Sequence, residues 1–206
     1  MESEKGSNWS KYFYPNTDVL INNYGILDND ELLKKEVEVS FEKLVDLYDN
    51  PIIGDFDTAH LCEIHKCLFS DLYPWAGSFR TVNIAKNHSN FCDYTNIQDS
   101  LDYELSLMNK EIRTVNGKEE LAEFLAEYYV VLLDIHPFRE GNGRTIREFL
   151  REFVLARTAN FELDWSEVDP KNIDEAIVNA KFFRAPIVIE FFKALNKREK
   201  VNNYAK

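Results

Sequence analysis

Apolar residues recur along this chain mostly at helical spacing. After a polar start, FYPNTDVLINNYGI (13–26) reads as an extended or short helical lead. ELLKKEVEVSFEKLVDLY follows, with Leu33, Val37, Phe41, Leu44 and Tyr48 on one face as a candidate core stripe and Asp28 or Asp30 as the cap. Asp57 is placed to cap a second helix, TAHLCEIHKCLFSDLY, with Leu61, Ile64 and Leu68 inward. PWAG breaks it. In SFRTVNIAKNHSNFCDY, Val82, Ile84 and Phe91 flank a polar AKNHSN tip, which predicts a β-hairpin. Helices resume over NIQDSLDYELSLMNKEI and KEELAEFLAEYYVVLLDI; the second is apolar on most of its circumference, as a central, most buried helix should be. RTIREFLREFVLARTA is amphipathic, with Ile146, Phe149, Leu150 and Phe153 inward. Asp169–Pro170 and Pro186 open two further helices.

The pattern predicts an all-α bundle of about seven helices with one hairpin. Composition agrees: the 206 residues suffice for one domain, and only seven glycines and six prolines argue against an all-β fold. No linker or repeat divides the chain, so one domain over 1–206 is expected, with a lead to about residue 27. The net charge of −12, without a Lys/Arg cluster, argues against direct nucleic-acid binding and suits a protein partner with a basic face. No secretory signal or transmembrane-length run is evident. Cys62, Cys67 and Cys92 are odd in number and lack C-x-x-C spacing, as expected of free thiols in a reducing cytoplasm.

The chemistry concentrates in HPFREGNGRTIR (136–147). A plain turn accounts for Pro137 and the glycines, but not for Arg144 and Arg147 at i, i+3, nor for a histidine closing the most buried helix. A glycine-rich turn at a helix N-terminus offers unpaired N–H groups and the positive dipole end to an anion. The arginines add forked donors suited to phosphate. Glu140 belongs beside phosphates only with a cation between them, and Mg²⁺ is the natural choice. His136 is a candidate general base.

The same stretch matches the H-x-F-x-[DE]-G-N-G-R-x-x-R signature of the Fic (Fic/Doc) family at every defined position. Upstream, LCEIHKCLFSDLYPWAGSFR resembles the family's helix and Trp-Ala-Gly turn, TVNIAKNHSNFC sits at its hairpin flap, and YFYPNTDVLINNYGI is similar to its N-terminal lead. The resemblance implies a Fic-type helical bundle with the flap beside the active-site loop, that loop and the next helix covering 136–158. It implies transfer of AMP from ATP to a Tyr, Thr or Ser hydroxyl of a target protein. His136 would take the hydroxyl proton and Glu140 would hold Mg²⁺. Gly141, Asn142 and Gly143 would form an anion hole, with Asn142 at the α-phosphate. Arg144 and Arg147 would meet the β- and γ-phosphates, and Phe138 would pack under the loop. The flap, with Val82, Asn83, Ile84, Lys86 and Asn87, would dock an extended target segment by main-chain pairing.

Many relatives carry an inhibitory [ST]-x-x-x-E-[GN] helix. Thr158–Glu162 and Ser100–Glu104 have its first part, but leucine follows each glutamate. The resemblance then implies a toxin whose inhibitor is a separate small antitoxin, with type II topoisomerases among the possible targets. Alternatives are a Doc-like kinase passing on the γ-phosphate, which Gly143 argues against, a non-catalytic nucleotide-binding module, and AMP removal. HLCEIHKC is not expected to bind zinc, because helical spacing sends its four candidate ligands in different directions. His88 is expected to be an exposed loop residue.

Overall fold

The computed structural model describes residues 10–86, 89–178, 180 and 183–198. Among them are seven α-helices: α1 (Asn29–Asp49), α2 (Thr58–Phe69), α3 (Ile97–Glu111), α4 (Gly117–Ile135), α5 (Asn142–Arg157), α6 (Pro170–Val178) and α7 (Ala185–Ala194). The start signals act as expected. Asp28 accepts the Glu31 N–H, Asp57 accepts the His60 N–H, and Asp169 accepts the Lys171 N–H before Pro170. α4 is the central helix, packed on α3, α5 and α7, and α5 also packs on α2. The inward residues expected on α5, Ile146, Phe149, Leu150 and Phe153, are all fully buried.

α1 is turned differently from expectation. Leu33, Val37, Phe41 and Tyr48 are exposed, and Leu44 is half-buried. The buried side carries Leu32, Glu36, Val39, Ser40 and Leu47 instead. Periodicity finds an apolar face but cannot see that the inward face must include a carboxylate and a hydroxyl for a cation on α5. The exposed stripe lies about a quarter turn round the helix from Glu36 and Ser40.

Two antiparallel strand pairs accompany the helices. β1 (Ala85–Lys86) pairs with β2 (Ser89–Asn90), the expected hairpin. β3 (Phe161–Leu163) pairs with β4 (Leu195–Lys197), which was not expected. Its strands are three residues long and far apart in sequence, too short for an alternating pattern to register. The lead is strapped down: Phe13 bridges Leu20, Ile21 N donates to Tyr12 O at 2.9 Å, and Asn23 N donates to Leu72 O at 2.8 Å.

A polar belt pins the back of α5. Arg151 bonds Glu148 and the Leu47 carbonyl, while Glu152 accepts from Ile52 N and meets His60 Nε2 at 3.0 Å. His60 Nδ1 accepts the Phe56 N–H, so this histidine is fully engaged within the core. The cysteines are free thiols, and the described residues contain no group of three or more potential metal ligands. No helix among the described residues is long and apolar enough to cross a membrane.

Candidate active site

α4 ends at Ile135, and His136 turns the chain with φ 48° and ψ 62°, a left-handed conformation unusual for a residue with a side chain. The His136 Nδ1 lies 3.1 Å from the Leu133 carbonyl, which can only accept, so Nδ1 carries the proton and Nε2 the lone pair. The ring stacks on Phe91, just beyond β2, with centroids 3.9 Å apart. The tautomer and orientation of a base are thereby set by its own helix end and by the flap.

Arg80 binds these parts together. It is 1% exposed, yet Nε donates to His136 O at 2.8 Å, Nη1 to Val82 O at 2.7 Å, and Nη2 to Ile135 O at 3.2 Å and to Cys92 O. Its own N–H donates to Pro137 O at 2.9 Å. One guanidinium therefore joins the end of α4 to both stems of the hairpin. Sequence reasoning did not single it out; its only signal was its place at the end of WAGSFR.

The loop rests on a second unassigned residue. His65 Nδ1 accepts the Gly77 N–H at 2.8 Å, and Nε2 donates to Glu140 O at 3.1 Å, an arrangement available only to a neutral imidazole. Burial lowers its pKa from the usual imidazole value of 6.5 to about 4. Its ring stacks on Phe138, which is fully buried, at 3.8 Å. Gly141 has φ 80°, and a Cβ there would lie 2.5 Å from the Phe69 ring, so both conformation and space require glycine.

The Asn142 side chain is tied within the loop. Its Oδ1 accepts the Phe138 N–H and its Nδ2 donates to Phe138 O, both at 2.9 Å. The side chain braces the loop through a closed pair of bonds to one buried residue. The backbone at the start of α5 carries further donors. Thr145 N makes the first helical bond, to Gly141 O at 3.1 Å, which leaves the N–H groups of Asn142, Gly143 and Arg144 without an intrahelical acceptor.

The three arginines diverge. Arg139 lies over the Phe13 ring of the lead, 5.1 Å from its centroid. Arg144 reaches α1, where Nη1 donates to Ser40 Oγ at 2.9 Å and Nη2 pairs with Glu36. Arg147 Nη1 donates to Tyr129 OH on α4 at 3.1 Å. The expected i, i+3 pair therefore flanks the helix start from two sides.

The expected flap residues divide. Val82 is buried with its carbonyl on Arg80, and Asn83 bonds Asp93 and Tyr94 N, so both brace the stem. Hydrogen bonds from Thr95 and then Asn83 hold the Asp93 carboxyl at about 2. Ile84 is half-buried, and its carbonyl accepts the Phe91 N–H. Lys86 pairs with Ser89 through its backbone. The Lys86 side chain, Asn87 and His88 lie outside the described residues.

Glu140 is a single carboxylate, with Oε1 accepting the Gly141 N–H at 3.0 Å. Alone it does not make a resident metal site. It does fit Mg²⁺ arriving with a polyphosphate, since this ion commonly takes one or two carboxylates and fills its remaining positions with phosphate and water.

Residues 55–154 match the model of the Fic/DOC family. The protein adenylyltransferase VbhT of Bartonella schoenbuchensis is 36% identical over 88% of this chain, which spans 38% of that protein's length. A Sinorhizobium fredii protein named "Probable protein adenylyltransferase y4lH" is 35% identical, with 81% of this chain and 85% of that one covered. The chain belongs to the Fic/DOC family. Its fold agrees with a Fic domain of a VirB-translocated effector of Bartonella quintana, solved with bound ADP. The two share 26% identity and a TM-score of 0.81 over 92% of this chain and 96% of that one. The loop 136–147 is thus the Fic signature in its folded form, its histidine in place and its glycines at the start of α5.

Proposed function

We propose that this chain transfers AMP from ATP to a hydroxyl side chain of a target protein. The observation that carries the reading is the folded signature loop, with His136 Nδ1 committed to the Leu133 carbonyl, which assigns proton transfer to Nε2, and with the first N–H groups of α5 lacking intrahelical acceptors. The target's Tyr, Thr or Ser oxygen attacks the α-phosphorus while His136 Nε2 takes its proton. The bond from that phosphorus to the bridging oxygen breaks, and pyrophosphate leaves. Arg144 and Arg147 flank the position for the departing charge, and the α5 N–H groups stabilise oxygen charge on the α-phosphate. Glu140 would hold Mg²⁺, which would neutralise polyphosphate charge. The names of the relatives and the ADP bound to a Fic neighbour support the reading.

Incubating the protein and a cell lysate with α- or γ-labelled ATP tests it. Label should pass to protein from the α position alone. Transfer from the γ position would make the chain a kinase, and no transfer would leave a nucleotide-binding module. His136→Ala should lower α-label transfer by roughly 10²–10⁴-fold while sparing nucleotide binding.

The same reading makes the chain a cytoplasmic toxin held by a small antitoxin, with a type II topoisomerase as a target. The free thiols fit that compartment. The exposed stripe of Leu33, Val37 and Phe41 offers an apolar face for an inhibitor's helix close to Arg144. Co-expression with a short neighbouring reading frame encoding [ST]-x-x-x-E-[GN] should relieve toxicity.

A further inference from the structure

We infer that Glu36 is a positioning residue for Arg144: a carboxylate on α1, about a hundred residues from the loop, fixes one of the loop's phosphate-facing arginines before nucleotide arrives. This rests on the reading that Arg144 meets a phosphate of ATP.

Arg144 is gripped on three sides. Glu36 Oε1 accepts from Nη2, and Ser40, one turn further along α1, accepts from Nη1 at 2.9 Å. The Phe69 ring lies beneath the guanidinium, 4.9 Å from its centre. Glu36 is itself fixed, since its Oε2 accepts the Tyr73 hydroxyl. Burial, together with the Glu36 charge, raises the Tyr73 pKa far above its usual value, so the phenol stays a donor. The polar order runs from the Tyr73 hydroxyl to Glu36 to Arg144.

A guanidinium has five N–H bonds. Two point at α1, which leaves three for phosphate oxygens. An arginine left loose would lose side-chain entropy on binding, and a clamped one has lost it already. Glu36 is 5% exposed, so its charge sits where water screens it poorly. A buried carboxylate needs a close cation, and Arg144 is that cation. Core packing alone would be served as well by an apolar residue here. What the carboxylate adds is direction: with Ser40 it offers two acceptors one helical turn apart, matching the two Nη groups of the fork.

The test compares the wild type with Glu36→Ala, Glu36→Gln and Ser40→Ala. Three readouts are needed: the initial rate of α-label transfer to lysate protein against ATP concentration, the Kd for a non-hydrolysable ATP analogue with magnesium, and the melting curve. Glu36→Ala should reduce label transfer per ATP concentration by roughly 100-fold, the scale of a 1 Å misplacement, and should weaken analogue binding. Glu36→Gln keeps an acceptor for Nη2 and should recover most of that loss, although the ion pair is gone. A purely structural Glu36 would lower the melting curve of Glu36→Ala yet leave transfer by the folded protein at the wild-type rate and KM, and that result overturns the inference. So does a Glu36→Ala that transfers faster, because Glu36 would then be a restraint. If Glu36→Ala does not fold, the double variant Glu36→Gln with Ser40→Ala, which weakens both anchors of Arg144, decides: a raised KM for ATP supports the inference, and wild-type kinetics overturn it. If the wild type binds the analogue but moves no α-label, the transfer reading fails, while weaker binding by Glu36→Ala still supports the positioning role. A wild type that binds no nucleotide overturns both.

Discussion

His65 takes a hydrogen bond at one ring nitrogen and gives one at the other, so it has no room for a second proton. Its folded pKa of about 4 lies below the 6.5 of an unperturbed imidazole, and unfolding therefore takes up protons as the pH drops. Its contribution is complete above about pH 6.5 and is lost as the pH falls toward about 4, up to roughly 3 kcal/mol. Melting curves between pH 7 and 4 should drop more steeply for the wild type than for His65→Gln. Gly141→Ala meets two obstacles at once, a positive φ and the Phe69 ring, and should destabilise the protein by roughly 2–4 kcal/mol in denaturant unfolding. At this scale the signature residues were readable because each is chemically distinctive and all lie within a dozen positions. His65, Arg80 and Glu36 were not, since each acts on groups that the sequence gives no means of placing beside it. Asn142 shows the converse: it was recognised from the motif, but its side chain serves the loop's own backbone.

Among the elements, α4 and α5 were readable in position and length, α4 as the most buried helix from its apolar circumference and α5 also in its inward face. α1 was readable as a helix but not in its orientation. Its larger apolar stripe faces outward, while the inward side includes Glu36 and Ser40 to serve Arg144. The hairpin was readable from its polar tip, whereas β3 and β4 were not, as pairing across more than thirty residues leaves no local trace. The hairpin is tied to α4 chiefly through Arg80, so Arg80→Lys should loosen it: a lysine keeps the charge but cannot spread donors to four carbonyls. Unfolding free energy should fall by roughly 2–4 kcal/mol, and amide exchange at residues 82–92 should quicken more than in α3.

Across the whole molecule, the acidic balance and the outward stripe of α1 describe a surface suited to company. Val37→Glu together with Phe41→Glu should leave the unfolding free energy within about 0.5 kcal/mol of the wild type, because neither side chain belongs to the core. A large loss in that double variant would put the stripe back inside. The site is likewise a property of the whole, for the loop 136–147 takes support from the lead through Arg139, from α1 through Arg144 and from α4 through Arg147.

The grip of α1 on Arg144 crosses the connection to α2, exposed at residues 53–55, without depending on it, since the bonds to Ser40 and Glu36 join side chains directly. That connection is therefore where the polypeptide could be divided into two pieces. Mixing them would return Arg144 to its anchors, and nucleotide handling would become a reporter of whether the pieces had met.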